Sequence, residues 1–183
     1  MELVDASTLQ LPFPANGLVA VMLGRDILGL PLESDALGEW LREPGRPIAG
    51  MVVRGDLRAK YPITNIGPEG PFLWVQGDLK APAVVTRTSQ VLVEGNAEAS
   101  MLAGAIEVQG DVRAKVLQGG PIRVHGAVAA LLALGQVQTD PGSAVIAFRS
   151  AEVLRDDLRD EHGVAMRPLL RAIRLEQRLL KLH

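Results

Sequence analysis

Five ungapped segments of this chain superimpose on one another: 51–59, 73–81, 91–99, 106–114 and 122–130. Aligned on Gly55, Gly77, Gly95, Gly110 and Gly126, two further columns become invariant. Two residues before each glycine stands Val53, Val75, Val93, Val108 or Val124, and four residues after it stands Ala59, Ala81, Ala99, Ala114 or Ala130. Internal repetition of this kind constrains a fold more than composition does, because each unit must bury its apolar face against its neighbours.

Positions −4, −2, +2 and +4 from the glycine are apolar in all five copies. Between them stand mostly polar residues, among them Arg54, Gln76, Glu94, Gln109 and His125 just before the glycine and Arg58, Lys80, Glu98 and Arg113 three after it. Alternation with period two marks a strand buried on one face. The glycines are 22, 18, 15 and 16 residues apart, too close for a strand plus a crossover helix. The spacing predicts a mainly β protein, a single-stranded β-helix of five to six coils stacked about 4.8 Å apart. The valines suit its interior, and the alanines suit a corner where nothing larger fits. Asp56, Asp78, Asn96 and Asp111 follow the first four glycines. That is turn chemistry: glycine tolerates positive φ, and Asx side chains bond local backbone. Ala127 takes that place in the fifth copy, so the column should end there.

Between the copies lie the apolar pairs Val84–Val85, Met101–Leu102, Val116–Leu117 and Leu131–Leu132, read as a second strand in each coil. Pro62, Gly67, Pro68, Gly70 and Pro71 make the longest interval a protruding loop. The hexapeptide period of acyltransferase β-helices, the leucine-rich framework and the calcium-binding Gly-Gly-x-Gly-x-Asp nonapeptide are all missing.

The flanks differ from the repeat. Residues 1–50 hold seven acidic and three basic residues, a strand-like run at 19–23 and a helix-like stretch with Ser34, Leu37, Trp40 and Leu41 before Pro44. They read as an N-terminal capping region on a solenoid of residues 51–148, since a bare solenoid end exposes unpaired strand edges. Residues 149–183 read as a C-terminal helical segment. Ser150 caps a first helix reaching about His162, and Pro168 begins a second one running to Leu182. Its apolar stripe includes Leu169, Ile173, Leu179 and Leu180. These four either cover the solenoid or form an interface with a protein partner.

The 183 residues fit one domain with appendages, and 48% hydrophobic content is ample for a core. A net charge of −2 leaves no broad electrostatic footprint for nucleic acid. There is no cysteine, which excludes disulfides and thiolate metal sites and fits a cytoplasmic location. The apolar run 17–23 is too short to span a bilayer and has no basic lead. His125, His162 and His183 are not spaced as ligands, and no nucleophile elbow, P-loop or dinucleotide fingerprint occurs. The chain therefore reads as no enzyme, with no cofactor and no metal. The one polar constellation is the Asx column. Stacked carboxylates can build a cation site or a catalytic pair, but independent Asx turns explain it more simply. The outward columns mix signs, as register-fixing surface pairs do.

The runs Val-Gln-Gly-Asp-Leu-Lys-Ala (75–81), Val-Glu-Gly-Asn-Ala-Glu-Ala (93–99) and Val-Gln-Gly-Asp-Val-Arg-Ala (108–114) resemble the bactofilin-like, polymer-forming β-helix proteins of bacteria. The resemblance covers residues 51–130. It implies a right-handed β-helix and a scaffold or cytoskeletal role through end-to-end stacking. Leu102–Ala103–Gly104 within this pattern also looks like the C-terminal β-helix of the septum-site inhibitor MinC family, which implies a dimeric, partner-binding solenoid. Small solenoids of this type also look like immunity proteins. Two functions follow as expectations: a bactofilin-like scaffold, or a capped solenoid that binds one protein partner. With both ends capped, the chain should be a monomer or a small closed oligomer.

Overall fold

The computed structural model describes residues 2–23, 48–65, 70–148, 150–160, 164–175 and 177–180. Its strands are β1 (Glu2–Asp5), β2 (Leu18–Leu23), β3 (Ile48–Arg54), β4 (Leu57–Arg58), β5 (Ile63–Asn65), β6 (Phe72–Val75), β7 (Leu79–Thr86), β8 (Val91–Val93), β9 (Ala97–Ala103), β10 (Ile106–Val108), β11 (Val112–Val124), β12 (Val128–Thr139) and β13 (Val145–Phe148). Apart from the antiparallel pair β1–β2, these strands pair in parallel. They form one curled sheet, a β-solenoid of about five turns.

Each coil has three pairing segments. The first face runs through β2, β3, β6, β8 and β10 and continues into the ends of β11 and β12. The second face starts with β4 and continues through the first halves of β7, β9, β11 and β12 to β13. The third face holds β5 and the later parts of β7, β9, β11 and β12. Between the second and third faces the alternation changes phase. Leu79, Ala81 and Val84 enter the central core, whereas Ala83 and Val85 join a separate outer cluster. A strand that keeps its pairing while its inward side switches parity has to bend, and Pro82, Ser100, Lys115 and Leu131 stand at that bend.

The repeat columns sit where period-two burial puts them. Val53, Val75, Val93, Val108 and Val124 are between 0% and 1% exposed. Their neighbours in register are one another, as in Val75↔Val93 and Val93↔Val108. Ala81, Ala99, Ala114 and Ala130 are likewise stacked. The apolar pairs of the third face are also stacked, with a one-residue correction. Met101–Leu102 and Val116–Leu117 align with Ala83–Val84 and Leu132–Ala133, so Val85 and Leu131 fall outside the pairs. Buried Asn65 holds the wide first coil by donating from Nδ2 to the Pro71 carbonyl at 2.6 Å.

The glycine corner departs from the turn expectation in two ways. Of the five repeat glycines only Gly55 has positive φ, at 97°. The Asx side chains reach across coils and do not close local turns. Asp78 N–H donates to Asp56 Oδ1 at 2.9 Å, Asn96 N–H to Asp78 Oδ1 at 2.7 Å, Asp111 N–H to Asn96 Oδ1 at 2.9 Å and Ala127 N–H to Asp111 Oδ1 at 2.8 Å. Ala127 has no side-chain acceptor, so the ladder stops there as the sequence predicts. The glycines are needed because this ladder runs through the space a Cβ would fill. A Cβ on Gly77 would sit 2.5 Å from Asp56 Oδ1, and one on Gly110 would sit 2.6 Å from Asn96 Oδ1.

The terminal segments cover flanks. Residues 18–23 are a further rung of the solenoid itself, since β2 pairs in parallel with β3. Ahead of them Ala6, Leu9, Leu11 and Phe13 pack outside the first face against Val52, Phe72 and Trp74, with the Phe13 and Phe72 rings 4.6 Å apart. The helix expected around Ser34–Trp40 lies outside the described residues. At the other end, the expected long helix from Ser150 is replaced by two short 3-10 turns, Ala151–Val153 and Asp156–Leu158. Ser150 does cap the first, accepting the Glu152 N–H at 3.2 Å. Among the described residues one α-helix, α1, spans Met166–Arg174 and stops well short of Leu182. Beyond it Leu180 bridges to Leu154. Leu154, Leu158, Leu169, Ala172 and Leu179 pack on Met101, Val116 and Leu132, outside the third face. Among the described residues no helix is long and apolar enough to cross a membrane.

Candidate functional site

Among the described residues, no segment packs over the second face. Its outward column runs Arg58, Lys80, Glu98, Arg113, Ala129 and Ile146, all exposed. Strand alternation aims these side chains out while Leu57, Leu79, Ala97, Val112 and Val128 turn into the core. On one side of the column stands the acidic ladder of the glycine corner. On the other stands the bend column, with Lys60, Pro82, Ser100 and Lys115. The alanines between the outward and bend columns, Ala59, Ala81, Ala99 and Ala114, pack toward the core, so no long side chain rises there. Two shallow furrows result, of about 720 and 970 Å³, running along the solenoid axis across the second face.

The charges along the furrow are unevenly matched. Lys80 Nζ donates to Glu98 Oε1 at 2.7 Å, so these two neutralise each other at the middle of the row. Among the described residues, Arg58 and Arg113, one at each end, have no carboxylate in ion-pair range, nor do Lys60 and Lys115 beside them. Lys60 instead lies over the Tyr61 ring, 5.6 Å from its centre. Lys60, Tyr61 and Lys115 were not singled out from the sequence. A signal was present: the residue after the repeat alanine is lysine in the first and fourth copies.

The acidic ladder has a structural task. Each of its Oδ1 atoms already accepts a backbone N–H of the next coil. Among the described residues, no three His, Asp or Glu side chains gather in a metal-holding group.

His125 is better placed than a solvated strand histidine. Its Nδ1 lies 3.1 Å from Asp140 Oδ2 and its Nε2 lies 3.4 Å from Glu107 Oε1, so it joins three successive rungs. The hydrogen bond to Asp140 raises its pKa above the ordinary histidine value, and the Glu107 carboxylate adds to the shift.

The helical residues considered as a partner interface are accounted for differently. Leu169 is 0% and Leu179 is 4% exposed, both inside the cluster on the third face. Leu180 packs at the edge of the same cluster, and Ile173 lies within α1. Leu169 and Leu179 thus lie in internal packing, the covering alternative of the two that the sequence leaves open.

The fold and this face define the molecule as a β-solenoid whose second face, among the described residues, exposes charges of both signs. No protein-family model, curated protein or solved structure matches the chain.

Proposed function

We propose that the chain is a non-enzymatic β-solenoid that binds a protein partner along its second face, acting in the cytoplasm as a monomer or small closed oligomer. The observation that carries this reading is the asymmetry of cover. Among the described residues, segments near the two termini lie over the first three coils of the first face and over the third face, whereas the second keeps an open furrow with cations that have no carboxylate in ion-pair range. Scattered exposed charge needs no explanation, but an axial row left uncovered between two covered flanks suits a docking surface.

A second reading, an assembly scaffold of the bactofilin-like kind, draws on the last rung. Among the described residues β13 pairs with β12 alone, and Ile146 is 72% exposed on it. A strand edge of this kind recruits other strands. Two measurements on the purified chain separate the readings. Sedimentation over a wide concentration range should give one small species, and filaments would favour the scaffold. Cross-linking of the chain to a co-purified partner should map to Lys60, Lys80 and Lys115. Cross-links confined to the end near Val145 would overturn the second-face reading.

A further inference from the structure

We infer that the second-face furrow accepts an extended acidic peptide with two carboxylates about four residues apart, an inference that rests on the partner-binding reading above. The geometry is set by the parallel stack. Arg58 pairs in register with Lys80, Lys80 with Glu98, and Glu98 with Arg113. Arg58 and Arg113 are therefore three coil spacings apart, roughly 14 Å at about 4.8 Å per coil. An extended chain advances about 3.3 Å per residue, so side chains four residues apart span roughly 13 Å. The two distances agree. The salt-bridged centre, Lys80 with Glu98, gives the intervening residues a neutral stretch to cross.

The chemistry of the walls selects a carboxylate ligand over a continuous polyanion. An arginine fork matches a carboxylate through two parallel hydrogen bonds, and each arginine has a lysine beside it on the bend column. Ala59, Ala81, Ala99 and Ala114 pack toward the core, so the strand itself floors the furrow between the outward and bend columns and a peptide backbone can approach. Half-buried Tyr61 and Pro82 offer apolar contact beside it. Nucleic acid is disfavoured by the same surface. Asp56, Asp78 and Asp111 rim one side and Glu98 stands in the middle, all repelling an unbroken row of phosphates. Tyr61 is the only tyrosine in the chain, which leaves no platform for stacked bases.

The test uses the full chain and fluorescent nine-residue peptides in an anisotropy titration. One peptide carries two glutamates four residues apart in a neutral background, one carries them adjacent, and one carries none. A single-stranded oligonucleotide is the fourth probe. The four-apart peptide should bind most tightly, lose affinity in high salt and weaken about tenfold with either Arg58→Glu or Arg113→Glu. Both positions are exposed, and thermal melting of each variant confirms that the fold is kept. Lys115→Gln is a milder second variant that should weaken binding less. Equal binding of the neutral peptide, unchanged binding by the variants or preference for the oligonucleotide would each overturn the inference. If no acidic peptide binds while partner cross-links still depend on Arg58 and Arg113, this inference fails and the partner-binding reading stands. If those cross-links are indifferent to both substitutions, the partner-binding reading falls too.

Discussion

The side chain of Asp78 occupies the place where a Cβ on Gly95 would have to go, and its Oδ1 accepts the Asn96 backbone N–H at 2.7 Å. The glycine and the aspartate of successive coils are thus one device. The absent Cβ lets the carboxylate in, and the carboxylate ties the next coil down.

Gly95→Ala should therefore destabilise the protein by about 1–3 kcal/mol, as overpacking does. Asp78→Ala should cost about 0.5–1.5 kcal/mol through the lost hydrogen bond. The double variant should cost less than the sum, because removing the carboxylate frees part of the space the methyl needs. Urea denaturation of the four proteins measures this coupling. Strict additivity would show that the glycine answers to something other than Asp78.

Val108→Asp should abolish folding. The position is 0% exposed between Val93 and Val124 in register, and among the described residues no charged side chain is buried. A carboxylate buried without a partner costs more than a domain of this size can absorb. Circular dichroism of the variant decides it: a cooperative melt near that of the parent would refute the interior assignment.

Leu169→Ala should destabilise by about 2–5 kcal/mol, the range for emptying a buried leucine site. Removal of residues 150–183 should strip the cover from Met101, Val116 and Leu132 and produce dye-binding, aggregation-prone protein. A monodisperse 1–149 fragment that binds no hydrophobic dye would show that the third face does not need this cover.

How much of this was legible depended on whether partners lay along the chain or across coils. The valine and alanine columns were readable, because a period-two pattern repeated in register admits one arrangement. The Asx ladder was not, since sequence does not say that Asp78 bonds a residue of the next coil instead of its own turn. The N-terminal cover left a trace that alternation alone hid. At the outward position three before the glycine stand Val52, Trp74 and Leu92 in the first three coils, then Glu107 and Arg123. Residues near the N-terminus pack against the apolar members of that column. The sequence pattern overruns the helix end, because 175–182 continues a helix-like apolar stripe. The chain leaves the helix after Arg174, where Gln177 N–H donates back to the Ala172 carbonyl at 2.8 Å, and Leu180 then pairs with Leu154.

His125 should titrate above the ordinary histidine pKa, because the folded state favours its protonated form beside Asp140 and Glu107. Its contribution to stability should be complete below the unfolded value of about 6.5. It should fade as pH rises through the higher folded value. Asp140→Asn should lower the folded value and flatten that dependence. Proton NMR of the imidazole together with denaturation at several pH values checks both. A His125 that titrates at or below the unfolded value would contradict the bridging geometry.

The unequal spacing of the repeat is absorbed mainly on one ridge. Segments 73–81, 91–99 and 106–114 keep one length, while the returns from Val84 to Val91, Leu102 to Ile106 and Leu117 to Ile122 close the same gap with different numbers of residues. The register even shifts between Gly119 and Ile122 without disturbing the rungs on either side. That ridge is a natural splice point. A guest loop inserted between Gly119 and Pro121 would ride outside the stack as a passenger, and coils could be lengthened there singly while the ladder, the valine column and the furrow kept their spacing.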